Sequence, residues 1–301
     1  MRIALKVDVD TYRGTREGVP ALLRLLERHG VRATFLFSLG PDHTGRALRR
    51  VFRRGFLGKV LRTSVTSHYG WRTLLYGTLL PGPHIGRRAG GVLRAVAAAG
   101  HEVGIHTYDH VRWQDFVAQR DAAWTRRELE RAMEVFGEVF GTPAHVHGAA
   151  GWQVNPHLFA LEARLGFRYA SDTRGTAPFL PALEGVASPC PQLPTTLPTL
   201  DELIGRDGVT EANAHEAVLA AARGTAPHGH VYTLHAELEG MRLEPVLERL
   251  LQAWRAAGDQ PCALADVYGA LNAAALPRHT VEQGTVPGRS GLLGVQGAPA
   301  A

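Results

Sequence analysis

The chain has 301 residues, 45% of them apolar and 20% charged, a balance that suits one large globular domain with a buried core and excludes a disordered or fibrous chain. No apolar run reaches the length of a membrane span, and the only cysteines are Cys190 and Cys262, which argues for a reducing compartment over a disulfide framework. The net charge of +5 is unevenly placed: between His43 and His101 there are eleven basic residues and no acidic one, so the remainder of the chain is net acidic.

Met1-Arg2 leads straight into a strand-like run, without the apolar stretch and cleavage site of a secretory signal. Ile3–Val9 alternates as a strand. Val19–Arg28 reads as a helix with Leu22, Leu23, Leu25 and Leu26 on one side, and Ala33–Leu39 as a compact strand. A long insert at about 41–88 then interrupts the rhythm. Its basic residues, among them Arg49, Arg50, Arg53 and Arg54, are interleaved with Phe52, Phe56, Trp71 and Tyr76. That mixture points to an anionic partner, whether nucleic acid, phospholipid or a phosphorylated substrate. Val92–Ala99 is helical and stops at Gly100, Glu102–His106 is a short strand, and Trp124–Phe140 is the longest helical pattern, closed by Gly141 and Pro143. Asn155 caps a further helix at Pro156. Phe167–Ser171, Pro191–Pro194 and Val231–His235 read as strands, and Leu243–Ala257 as a helix that ends at Gly258. Alternation of this kind predicts an α/β fold built on a parallel sheet or barrel, as a single domain over 1–276. The segment from about Pro277 is rich in Gly, Pro and polar residues and is expected to be a disordered tail.

Four stretches carry chemistry. Val7-Asp8-Val9-Asp10-Thr11 closes a strand with two carboxylates on one face, and such a pair is costly to bury without a cation. A metal held by one of them leaves the other free to act as a base. His106-Thr107-Tyr108-Asp109-His110 spaces two imidazoles one helical turn apart, and two histidines with a carboxylate form a common hydrolytic metal set with open positions for water and substrate. Leu234-His235 ends a late strand, where a histidine could protonate a departing amine. In Ser171-Asp172-Thr173-Arg174-Gly175, Asp172 could orient His235, and Arg174 could neutralise Asp8 or hold a phosphate or sugar oxygen. No nucleophile elbow and no phosphate-binding glycine loop is present.

In this order the four pieces resemble the polysaccharide deacetylase family. The resemblance implies a distorted (β/α) barrel that hydrolyses an N-acyl bond, with Asp8 as base, Asp10, His106 and His110 as ligands of a divalent metal, and His235 as acid. By ligand type the metal is Zn²⁺, with Mn²⁺ or Co²⁺ as alternatives. The family's third motif normally supplies an arginine that steadies the base. The corresponding stretch here, His147-Gly148-Ala149-Ala150-Gly151-Trp152, has none, so Arg174 is the substitute candidate and Trp152 a further residue beside the substrate.

Longer segments, VDVDTYRGTREGVP, HYGW, EVGIHTYDHVRWQ, SDTRG, LPTTLPTLDELIGRD and YTLHAELEG, resemble the family's deformylases of formamido-arabinose carried on undecaprenyl phosphate. That resemblance implies removal of formate, a role in lipid A modification and polymyxin resistance, and a place on the cytoplasmic face of the inner membrane. It also narrows the anionic partner to a membrane surface, with no nucleic acid. Contact would come from Arg49, Arg50, Arg53, Arg54 and Trp71. The alternative within the same chemistry is an N-deacetylase of a polysaccharide or peptidoglycan fragment.

Overall fold

Strand β1 (Arg2–Val9) is buried along all but its first residue, and its period of two sorts the two faces of the sheet around it. Ile3, Leu5, Val7 and Val9 join the main apolar core beneath the helices. Ala4 turns the other way, into a smaller cluster with Leu36, Val146, Tyr169 and Leu193, and Lys6 and Asp8 follow it onto that inner face by the same alternation. The computed structural model describes residues 1–47, 72–183 and 186–300.

On one side of β1 lie β2 (Thr34–Ser38), β3 (Glu102–Thr107), β4 (Val146–His147) and β5 (Tyr169–Ala170), and on the other β8 (His230–His235), in the order β5-β4-β3-β2-β1-β8. β9 (Gln260–Cys262) pairs with the start of β1, and all these pairings are parallel. The sheet curls into a half-barrel, so the distortion expected of the (β/α) barrel is that it stays open. Because the strands run the same way, their C-terminal ends share one rim, where sites are built in such folds.

The crossovers carry α1 (Val19–Arg28), α2 (Ile85–Ala98), α3 (His110–Phe116), α4 (Ala122–Phe140), α5 (Pro156–Leu165), α6 (Leu200–Leu203), α7 (Ala214–Ala221), α8 (Glu244–Ala256) and α9 (Leu264–Tyr268). In α1, Val19, Leu22, Leu25 and Leu26 form the buried face, and each such side chain contributes about 1.5–3 kcal/mol when fully buried. α4 starts where the Asp121 side chain accepts the Trp124 N–H at 2.8 Å and ends at Gly141, whose φ of 71° only glycine adopts easily. α5 starts at Asn155, as the sequence indicates.

Two expectations are corrected. The tail is ordered: β10 (Arg278–Gly284) and β11 (Leu293–Pro299) form an antiparallel pair, and β10 adds to β6 (Leu180–Leu183), which pairs with β7 (Val186–Ala187) in a second sheet of order β11-β10-β6-β7. Composition hides this because Gly284, Gly294, Gly297 and Pro299 lie within the strands themselves, while β10 is also held by β6, about a hundred residues earlier. Pro191–Pro194 is not a full strand. Its prolines cannot donate, and only isolated bridges link Gln192 to Ala170 and Phe179. Arg49, Arg50, Arg53, Arg54 and Trp71 of the basic insert lie outside the described residues.

Candidate metal centre and active site

Asp10 follows the end of β1, His106 lies near the end of β3, and His110 is the first residue of α3. The two histidines therefore do not share a helix face. A bend between strand and helix brings their rings to 5.4 Å between centroids. The His106 and His110 Nε2 atoms stand 3.2 and 3.3 Å from Asp10 Oδ1. His106 Nδ1 donates to the Gly148 carbonyl at 2.6 Å, which leaves the Nε2 lone pair of a neutral ring aimed at the carboxylate. Two imidazole Nε2 atoms beside a buried carboxylate oxygen that has no hydrogen-bond donor among the described residues make a nitrogen and oxygen donor set that fits a divalent metal. Burial pushes the Asp10 carboxyl up, but when the imidazoles carry protons in place of a metal ion His110 and His106 outweigh it and hold the group well below the usual range, so the carboxylate stays ionised beside positive charge.

Asp8 lies beside this set, in register with His235 on β8 and Leu36 on β2. Residues in register point to the same face, so Asp8 and His235 flank the metal set from adjacent strands. Asp8 Oδ1 is 3.8 Å from His106 Nδ1 and accepts no hydrogen bond from the described residues, whereas Oδ2 is 3.4 Å from the ammonium of the fully buried Lys6. The His235 main-chain N–H donates to Glu239 Oε2 at 2.9 Å, and its Nδ1 has no hydrogen-bond partner among the described residues. Burial opposes a charged imidazole at His235, but Asp201 and Asp10 more than offset it and the pKa is raised.

Buried acids brace the strand ends. Glu237 Oε1 accepts from the backbone of Asp10 at 3.1 Å and from the Thr11 N–H and hydroxyl, each at 2.8 Å. Burial and the nearby Asp10 push Glu237 up to about 7. Gly14 and Gly18, in the π-helical turn after β1, are needed because a Cβ at either would run into Glu237 or the Ala236 carbonyl. The His43 and Asp109 side chains meet at 2.6 Å, and Asp109 also caps α3 through the Arg112 N–H.

Asp172 and Arg174 do not take the positions that their spacing suggests. Asp172 accepts from the Ala149 N–H at 2.7 Å, from Gln192 at 2.8 Å and from His147 Nδ1 at 2.9 Å, and not from His235. With Glu162 it encloses His147. Burial opposes the imidazolium there, but Asp172 and Glu162 raise its pKa to about 10. Arg174 pairs with Glu202 rather than Asp8, and it lies over the Trp152 ring at 5.0 Å. Trp152 is buried, at a φ of 55°, and donates from Nε1 to Thr195 at 3.1 Å. Arg289, in the loop between β10 and β11, covers the same ring at 4.6 Å and joins Asp201 at 2.9 Å and Glu202 at 2.8 Å. The sequence assigns no role to Lys6, Glu237, Glu239, Asp201 or Arg289, although YTLHAELEG and LPTTLPTLDELIGRD contain three of them. The only signal for the glutamates is two acids close behind His235.

Residues 2–170 match the family model described as polysaccharide deacetylase. A protein of Shewanella sediminis (strain HAW-EB3), named a probable 4-deoxy-4-formamido-L-arabinose-phosphoundecaprenol deformylase, is 40% identical over 251 residues, 83% of this chain and 80% of the relative. A protein of the same name from Wigglesworthia glossinidia brevipalpis is 30% identical over 284 residues, 94% of this chain and 98% of the relative. Among solved structures, one assigned to the polysaccharide deacetylases from Mycobacterium smegmatis superposes with a TM-score of 0.65 at 21% identity, over 95% of this chain and 94% of that one. Another, from Pseudomonas aeruginosa PAO1, gives a TM-score of 0.60 at 18% identity, over 89% and 90%. With fold, family model and relatives in agreement, the chain belongs to the polysaccharide deacetylase family.

Proposed function

We infer that this chain is a metal-dependent amide hydrolase that removes formate from 4-deoxy-4-formamido-L-arabinose carried on undecaprenyl phosphate, in the service of lipid A modification. The observation that carries the reading is the convergence of Asp10, His106 and His110 beside an unpartnered Asp8 oxygen, in a chain 40% identical to a protein named for that reaction. Asp10, His106 and His110 hold a divalent ion, Zn²⁺ by its ligand types. Such an ion polarises a carbonyl and acidifies water.

Around it, Asp8 Oδ1 takes the proton of the attacking water as the water oxygen bonds to the formyl carbon. The amide C–N bond then breaks, formate departs, and His235 delivers the proton that the sugar nitrogen needs. The raised pKa of His235 suits a group that must carry that proton near neutral pH. In the turn after β4, the Ala149 and Trp152 amides are spent on Asp172 and on the Ala149 carbonyl. We therefore assign the developing oxyanion to the Ala150 and Gly151 amides, the two of this turn that no other hydrogen bond among the described residues uses.

No helix among the described residues is long and apolar enough to cross a membrane. A lipid-linked substrate then calls for peripheral contact with the cytoplasmic leaflet, which the basic insert suits. The deciding experiment measures formate release from the formamido-arabinose lipid. Chelation abolishes it and added Zn²⁺ restores it. Turnover of an acetylated oligosaccharide instead would move the assignment to an N-deacetylase. Asp10→Ala and His106→Ala lose metal and activity together, whereas Asp8→Asn loses activity with metal retained. Loss of metal from Asp8→Asn would exchange the roles of the two aspartates.

A further inference from the structure

We propose that Lys6 sorts the two strand-end carboxylates, fixing Asp8 as the base and so leaving the ligand position to Asp10. The inference rests on the hydrolytic reading above and adds a positioning residue that the family resemblance does not supply. Lys6 is fully buried, and a buried ammonium is costly unless paired. Among the described residues its one ion-pair partner is Asp8, at 3.4 Å to Oδ2. The rest of its coordination is fixed as well: Nζ donates to the Ser171 carbonyl at 2.9 Å and lies 5.4 Å from the centre of the Trp152 ring.

The turn that lacks the expected arginine makes room for this side chain. A Cβ on Gly148 would stand 2.4 Å from Leu36 Cδ1 and 3.1 Å from Lys6 Cε, so the missing side chain at Gly148 leaves room for the lysine stem beside Leu36. A cation that the third motif does not provide thus arrives from β1 itself, two residues before the base and on the same face.

The two carboxylates become unequal as a result. Oδ2 of Asp8 faces an ammonium, which repels any metal ion approaching that oxygen and keeps the group from turning. Only Oδ1 remains open, and it is the atom without a hydrogen-bond donor. Among the described residues the ion-pair partners of Asp10 are the two imidazoles, with no lysine or arginine. Lys6 therefore acts on the reaction through the orientation of Asp8 and touches neither substrate nor metal.

The test compares Lys6→Met, Lys6→Arg, Asp8→Asn and the Lys6→Met/Asp8→Asn double variant for metal content, thermal midpoint, and kcat and KM with the formamido-arabinose lipid. The expected result is that Lys6→Met keeps its metal and its KM but loses kcat by about 10²-fold, and that Lys6→Arg recovers most of the loss. Met fills the space without the charge, so Lys6→Met turning over like the wild type overturns the proposal, as does a Lys6→Arg as slow as Lys6→Met. If Lys6→Met alone does not fold, the double variant decides. Removing the orphaned Asp8 charge restores folding when the ion pair is the reason, and failure to restore it overturns the pairing. An active Asp8→Asn would instead overturn the assignment of the base itself, a failure separate from that of Lys6.

Discussion

Glu239 receives the His235 N–H and, at 3.2 Å, the Tyr232 hydroxyl in a fully buried position, and burial pushes its carboxyl up to about 7. An acid with a raised folded pKa binds its proton more tightly in the native state. Its contribution to stability is complete below the ordinary glutamate range and is lost as pH climbs to about 7. Glu239→Gln keeps one oxygen to accept from the His235 N–H, offers its amide N–H to the Tyr232 hydroxyl oxygen and cannot ionise, so urea midpoints measured between pH 5 and pH 8 should fall less in this variant than in the wild type. An equal fall in both would remove Glu239 from the account. At this scale the sequence was legible where spacing alone sets geometry: Asp8 on β1 and Asp10 just past its end both come out beside His106, and His235 ends a strand. It was not legible where a partner is remote. Lysine in a strand reads as a solvent-facing residue, and nothing local says that Lys6 points at Asp8. Asp172 and Arg174 have the right chemistry for the roles first given to them, but His147 and Glu202 compete for them and win on proximity.

Among the elements, α5 shows how much one cap can hold. The Asn155 side chain accepts from the His157 and Leu158 amides at 3.1 and 3.2 Å, and its Nδ2 donates to the Val117 and Arg120 carbonyls and to Thr125. It thus ties the start of α5 to the end of the α3 segment and to the first turn of α4. Asn155→Ala removes the cap and strands buried carbonyls, a loss of roughly 3 kcal/mol in chemical denaturation, with metal content unchanged. A change within a few tenths of a kcal/mol would mean that the network is not formed. The β10–β11 hairpin belongs to the same scale, because its loop brings Arg289 to Asp201, Glu202 and Trp152. Arg289→Met should lower the thermal midpoint, since Asp201 and the buried Glu202 lose an ion-pair partner, and should move the His235 limb of the kcat–pH profile upward, since Arg289 opposes the charged imidazole that Asp201 favours; an unmoved limb would remove Arg289 from the account. Helices announced by caps and periodicity, such as α1, α4 and α5, were legible in the sequence. The hairpin was not, because β6 that receives it is short and far away in the chain.

At the scale of the whole molecule the charge is divided: basic residues crowd the segment between His43 and His101, and the acids gather elsewhere, several of them around the metal set. At the described edges of that segment Arg46, Arg72 and Arg88 are exposed, and Leu79 is 81% exposed beside them. A lipid-linked sugar has to be presented to a rim of buried acids without drawing the anionic bilayer against them; on the membrane contact proposed above, a stretch of sequence with basic residues and no acid would do that by attracting the headgroups itself. Each arginine near an anionic surface contributes about 1 kcal/mol, so replacing Arg49, Arg50, Arg53 and Arg54 by Ser should weaken binding to phosphatidylglycerol vesicles by up to about 10³-fold. Binding to zwitterionic vesicles should change little, and raising the salt from about 0.05 to 0.5 M should erase most of the difference, as screening requires. Metal content should stay as in the wild type, because none of the four arginines belongs to the metal set. Unchanged vesicle binding would leave the charge asymmetry as a solvated face and return the question of membrane contact to the polyprenyl chain.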